Sequence, residues 1–191
     1  EVIGTIPSEL NGTLLRNGPN PVNPQPNHHW FQGDAMLHSI AFANGQASSY
    51  QNRWVRTEAL AEQLGFEAAP VSETRLMIQG SGNVNVVHHA GRILALPEIG
   101  LPFEMNTDVH TLGMYDYKGK LAGNMTAHPK IDRQTGEMLF FGYDLMPPFL
   151  KFHTVDASGE LVRTVEINLP RSVMMHDFSV PRILHFNAVF P

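Results

Sequence analysis

The sequence predicts an all-β fold, and three observations predict it. Strand-like segments recur in hairpin pairs along the chain, glycine and proline (16 and 14 of 191 residues) punctuate them, and one stretch alone carries a helical pattern. With 42% hydrophobic and 16% charged residues, the chain can bury a core, and short apolar segments between turns are its expected texture. Hairpins in series at short spacing specify a sandwich, a barrel or a propeller, and pattern alone leaves all three open.

The first pair runs from Leu37 to Phe42, turns at Asn44-Gly45, the strongest local hairpin cue, and returns through Ser48 to Val55. Thr57 is placed to cap a helix over Glu58 to Leu64, which Gly65 stops. Residues 68–72 read as a loop. The second pair is Val84 to Val87, a turn near Ala90-Gly91, and Ile93 to Leu96, a continuous apolar run that predicts burial on both faces. Thr111 to Tyr117 is a further strand, turning at Lys118-Gly119. Met138 to Tyr143 is a strand rich in aromatics. Phe149 to Val155 and Leu161 to Leu169, joined by Asp156-Ala157-Ser158-Gly159, form the last hairpin. No linker or exact repeat divides the chain, so residues 1–191 are expected to be one domain, and the absence of an initiator Met and of a polar tail predicts a piece of a longer protein.

Composition excludes several functions. The absence of cysteine rules out a disulfide framework, a zinc ribbon and a thiol nucleophile. Thirteen basic against eighteen acidic residues, net charge −5, give no footprint for nucleic acid. No apolar run is long enough to span a bilayer and no signal peptide is visible, so a cytoplasmic location is expected. No G-x-S-x-G elbow supplies an acyl-transfer nucleophile, and Gln79-Gly80-Ser81-Gly82-Asn83 lacks the helix and acidic partner of a dinucleotide loop. Phe31-Gln32-Gly33-Asp34-Ala35-Met36 reads as a tight polar turn between strands, and Met146-Pro147-Pro148-Phe149-Leu150 as a core edge in preference to an exposed apolar patch for a lipid or membrane.

Ten histidines are the unusual resource. Pro129 forces His128 into extended backbone. Met174, His176 and Phe178 are expected on one face of a strand, so that the His176 imidazole emerges from apolar surroundings. Neutral imidazoles in such settings are good transition-metal ligands, yet a single buried histidine is more often a hydrogen-bonded core residue than a ligand. The doublets His28-His29 and His88-His89 must point to opposite faces of any strand and read as structural. Glu98 directly follows a buried run, where a carboxylate needs a partner, and a metal-bound imidazole is one such partner.

Five segments in order resemble the carotenoid cleavage oxygenase family: Ile6 to Pro21 (IPSELNGTLLRNGPNP), His29 to His38 (HWFQGDAMLH), Asn85 to Arg92 (NVVHHAGR) with Glu98, Thr126 to Lys130 (TAHPK) and Met174 to Phe178 (MMHDF). The resemblance implies part of a seven-bladed β-propeller, about half of its blades, whose axial Fe(II) is held by four histidines with glutamates behind three of them. It implies that His128 and His176 are the first two iron ligands and Glu98 the first of those glutamates. It implies cleavage of a conjugated C=C bond of a carotenoid or apocarotenoid by O2 to two carbonyl products, an apolar polyene as partner, and peripheral membrane contact for its uptake. Gln32, Ala35 and Val84 depart from the usual Asp, Gly and Thr. Pro97 stands where stilbene-cleaving members carry Lys, which disfavours a phenolic stilbene. After Val180 the likeness fades, and His185 is not assigned as a ligand. With two of four ligands, the chain alone is expected to bind iron weakly and not turn over. The competing readings are a non-catalytic propeller fragment that scaffolds or binds an apolar ligand, and an isomerase acting on retinoids.

Overall fold

The computed structural model describes residues 2–74, 76–180 and 187–188. The first sheet is an antiparallel meander of β1 (Gly12–Pro19), β2 (Ala35–Ala43) and β3 (Gln46–Trp54). Asn44 and Gly45 both adopt positive φ, 50° and 75°, as the two-residue turn between β2 and β3 requires. Helix α1 (Glu58–Leu64) follows as expected: the Thr57 hydroxyl accepts the Leu60 N–H at 3.2 Å, and Gly65 closes it in the left-handed region.

The second sheet runs β4 (Asn85–His89), β5 (Arg92–Leu96), β6 (Phe103–Met105) and β7 (Thr111–Met114). Here the expectation needs correction. The strand beginning at Thr111 ends at Met114, and it pairs backwards with β6 rather than across the Lys118-Gly119 turn. That turn forms, with Tyr117, Lys118 and Gly119 all at positive φ and the Gly119 N–H bonded to the Asp116 carboxylate at 2.9 Å. It leads into loop, not into a returning strand. Three residues between Pro102 and Asn106 are too few to show an alternating pattern, so β6 was invisible to periodicity.

The third sheet, in order β11-β10-β9-β8, comprises β8 (Lys130–Ile131), β9 (Met138–Tyr143), β10 (Phe149–Val155) and β11 (Leu161–Asn168). A two-stranded ladder of β12 (Phe178–Ser179) and β13 (Asn187–Ala188) begins a further unit. His185 lies outside the described residues. No helix among the described residues is long and apolar enough to cross a membrane.

β5 and β9 are buried on both faces, and this stacks the sheets. Leu94 and Leu96 of β5 pack with Met138 and Phe140 of β9 in one core, whereas Ala95 packs with Leu37 and Phe103 in the core shared with the first sheet. Phe141 and Tyr143 of β9 turn the other way, into a third core with Leu150, Met175 and Phe178. Successive four-stranded meanders that share cores through alternating side chains are blades of a β-propeller, and the strand ends converge where the candidate residues lie.

Candidate metal centre

Three segments, each at the end of a different sheet, meet in one place. Glu98 lies between β5 and β6, His128 just ahead of β8, and His176 just ahead of β12. The Nε2 atoms of His128 and His176, 48 residues apart in sequence, stand 3.1 Å apart, with the rings edge to face at a centroid separation of 4.5 Å. The Nδ1 of His176 lies 2.9 Å from Glu98 Oε2, and the other Glu98 oxygen accepts from the Tyr143 hydroxyl at 3.5 Å. One ligand atom from each of Glu98, His128 and His176 falls within 4.8 Å of the others.

The hydrogen bonds decide what these groups can offer. A carboxylate only accepts, so His176 donates through Nδ1–H and, in the neutral ring, turns a bare Nε2 lone pair toward His128. Burial, then the neighbouring His176, holds His128 below its ordinary pKa, which keeps that imidazole neutral at pH 7. Burial pushes Glu98 above the usual carboxylate range, against the opposing pull of His176 and of the Tyr143 hydroxyl. Burial also raises the Tyr143 phenol, with Glu98 adding to it, to about 12, so it stays a donor. Two imidazole nitrogens 3.1 Å apart fit around a single cation with metal–nitrogen bonds of about 2.1 Å. The donor set of neutral nitrogens, with a carboxylate orienting one ring from behind, suits a first-row transition ion better than magnesium or calcium.

The pair opens onto a groove of about 670 Å³ whose other walls include Trp30, Phe31, Val84 and Met174. Trp30 and Phe31 are 74% and 63% exposed and pack on each other at 3.9 Å, so two large aromatic faces stand at the rim with no core to cover them. Of the expected turn over Phe31 to Met36, Ala35 and Met36 already belong to β2, and residues 31–34 form a turn that presents aromatics. Its signal was the run His29-Trp30-Phe31 inside an otherwise polar loop. The carbonyls of Phe31 and Gly33 accept from the Asn83 side chain at 3.2 and 2.9 Å, which ties the loop to the residues preceding β4.

The other sequence expectations divide. Met174 and His176 both line the groove, but regular strand starts only at Phe178, and Phe178 is buried with Met175 instead of sharing their face. The alternation breaks because Asp177 turns its carboxylate onto the Phe178 N–H at 2.7 Å. His88 is exposed and His89 buried, its Nε2 bonded to the Gly136 carbonyl at 2.8 Å, the structural role expected of that doublet. Leu150 enters the core as expected of a core edge, while Met146 stays exposed.

Residues 1–182 match the family of the retinal pigment epithelial membrane protein, RPE65. A Mycobacterium tuberculosis carotenoid cleavage oxygenase is 43% identical over 185 residues, 94% of this chain and 37% of that protein. A Crocus sativus carotenoid 9,10(9',10')-cleavage dioxygenase is 34% identical, over 94% of this chain and 38% of its own length. Among solved structures, a Pseudomonas brassicacearum lignostilbene dioxygenase superposes with a TM-score of 0.81 at 30% identity, covering 95% of this chain and 41% of that one. A cobalt-substituted Synechocystis apocarotenoid oxygenase gives 0.78 at 28% identity, covering 94% and 43%. The chain thus spans less than half the length of the relatives it matches.

Proposed function

This chain belongs to the carotenoid cleavage oxygenase family, and from that premise we propose that it supplies half of an Fe(II) centre and part of the substrate wall of a dioxygenase acting on a carotenoid or apocarotenoid. The observation that carries this reading is the facing of the two Nε2 atoms at 3.1 Å with Glu98 on the far nitrogen of one ring.

His128 and His176 would hold the ion as neutral donors, leaving its positive charge intact. Ferrous iron in such a nitrogen set supplies the redox chemistry that O2 needs. Glu98 fixes the His176 tautomer and ring orientation, and Tyr143 restrains Glu98. Trp30 and Phe31 offer flat π faces, and Val84 and Met174 apolar surface, against which a conjugated polyene can lie while water is displaced. The net change is balanced without an external reductant: the C=C bond is lost and each carbon keeps one oxygen atom of O2 as a carbonyl. Pro97 before Glu98 favours a polyene over a stilbene on the family pattern. Two imidazoles are half of the implied ligand set, so the chain by itself should hold iron weakly and not turn over.

Anaerobic Fe(II) titration tests this. His128→Ala and His176→Ala should each reduce iron binding at least about tenfold while the circular dichroism spectrum is kept, and Glu98→Gln should weaken it by about 10- to 100-fold. Unchanged iron content in both histidine variants would refute the ligand assignment and leave the non-catalytic, apolar-ligand reading in its place.

A further inference from the structure

The two imidazoles are not held in the same way. His176 has Glu98 on its Nδ1, but among the described residues no carboxylate bonds to the ring of His128. Its aim must therefore come from its backbone, which is pinned on both sides. On one side, Ala127 is fully buried and its carbonyl accepts from Asn85 Nδ2 at 2.8 Å. The orientation of that amide is fixed, because Asn85 Oδ1 accepts the Val86 N–H at 2.8 Å and only Nδ2 is left to face Ala127. On the other side, beyond the rigid Pro129, Lys130 Nζ donates to Asp177 Oδ1 at 2.7 Å and lies 5.4 Å from the Phe178 ring centre. Asp177 adjoins His176, so this ion pair spans the gap between the two histidine segments one residue from one imidazole and two from the other.

Three links thus form a triangle. Asn85 to Ala127 joins the second sheet to the third, Glu98 to His176 joins the second sheet to the β12 segment, and Lys130 to Asp177 closes the third side. We infer that Asn85 and the Lys130–Asp177 bridge are positioning residues that set the spacing of the imidazole pair, acting on His128 through its backbone as Glu98 acts on His176 through its ring. An isolated ion pair this exposed contributes little to folding, and the consequence of losing it falls on the register of two nitrogens that one ion must bridge.

The inference rests on the metal reading for one of its tests and stands apart from it for the other. In the full chain, Co(II) binding is followed by calorimetry and visible absorption, and, without metal, the imidazole nitrogens of His128 and His176 are followed by ¹⁵N NMR. Asn85→Ala should weaken Co(II) binding by about tenfold. Lys130→Met should weaken it by roughly three- to fivefold, the scale of an exposed pair. Lys130→Arg, which keeps the charge facing Asp177, should keep wild-type affinity to within about twofold. Without metal, Asn85→Ala and Lys130→Met should each lose the hydrogen-bonded Nε2 signal that the facing rings give in the wild type. Unchanged affinity and unchanged imidazole signals in Lys130→Met, or losses in Lys130→Arg as large as those in Lys130→Met, would overturn the inference. A wild-type chain that binds no Co(II) refutes the metal reading, and the imidazole signals then decide the positioning role alone.

Discussion

His153 is 1% exposed, stacked on Phe140 with a centroid separation of 4.7 Å and bonded through Nδ1 to the Thr164 hydroxyl at 2.9 Å. Burial, assisted by the Lys151 charge, lowers its pKa from 6.5 to about 4. Between those two values the unfolded chain binds a proton that the folded chain does not, so stability rises with pH across that window. The contribution is fully present above pH 6.5 and fades as pH falls toward 4, by up to about 3 kcal/mol. Urea midpoints measured from pH 7 to pH 4 should fall accordingly, and His153→Gln should flatten the slope; an unchanged slope in that variant would assign the loss elsewhere. Nothing in the sequence around His153 marks it as buried, because Leu150-Lys151-Phe152-His153 alternates apolar and polar residues and the histidine falls on the polar phase. His128, by contrast, was legible, since Pro129 fixes its backbone locally. The 3.1 Å approach of His176 was not, because contact across 48 residues is a property of the fold.

At the scale of elements, the hairpins were readable wherever the turn itself demands unusual backbone. Asn44-Gly45, Ala90-Gly91 and the loop closed by Gly159 all place residues at positive φ, and each joins two paired strands. The helix was readable from its two caps. Thr57→Ala removes the acceptor for the Leu60 N–H and should cost about 1 kcal/mol in urea unfolding, with Thr57→Ser and Thr57→Asp close to wild type. If alanine and serine are indistinguishable there, the cap contributes nothing. β6 is too short for three residues to show a period, and strand alternation fails over Met174–Asp177 because a side chain, Asp177, captures the backbone.

For the whole molecule, sequence specified strands in hairpin series but not how they stack, since sandwich, barrel and propeller share that pattern. Stacking depends on which central strands are apolar on both faces. β5 announced this with Ile93-Leu94-Ala95-Leu96, and β9 repeats it with Leu139-Phe140-Phe141. Phe140 is fully buried between the second and third sheets, and Phe140→Ala should destabilise the fold by about 3–5 kcal/mol in chemical denaturation, with the loss felt by probes in both sheets. A loss confined to the third sheet would contradict the shared core. Because Met138 and Phe140 face one neighbour while Phe141 and Tyr143 face the next, β9 is a party wall with no side of its own. A partition of this kind cannot be dismantled from one room only. On heating, all three sheets should come apart at a single temperature, and the amide hydrogens of Leu94 and Phe140 should reach solvent together, through one opening common to the whole chain.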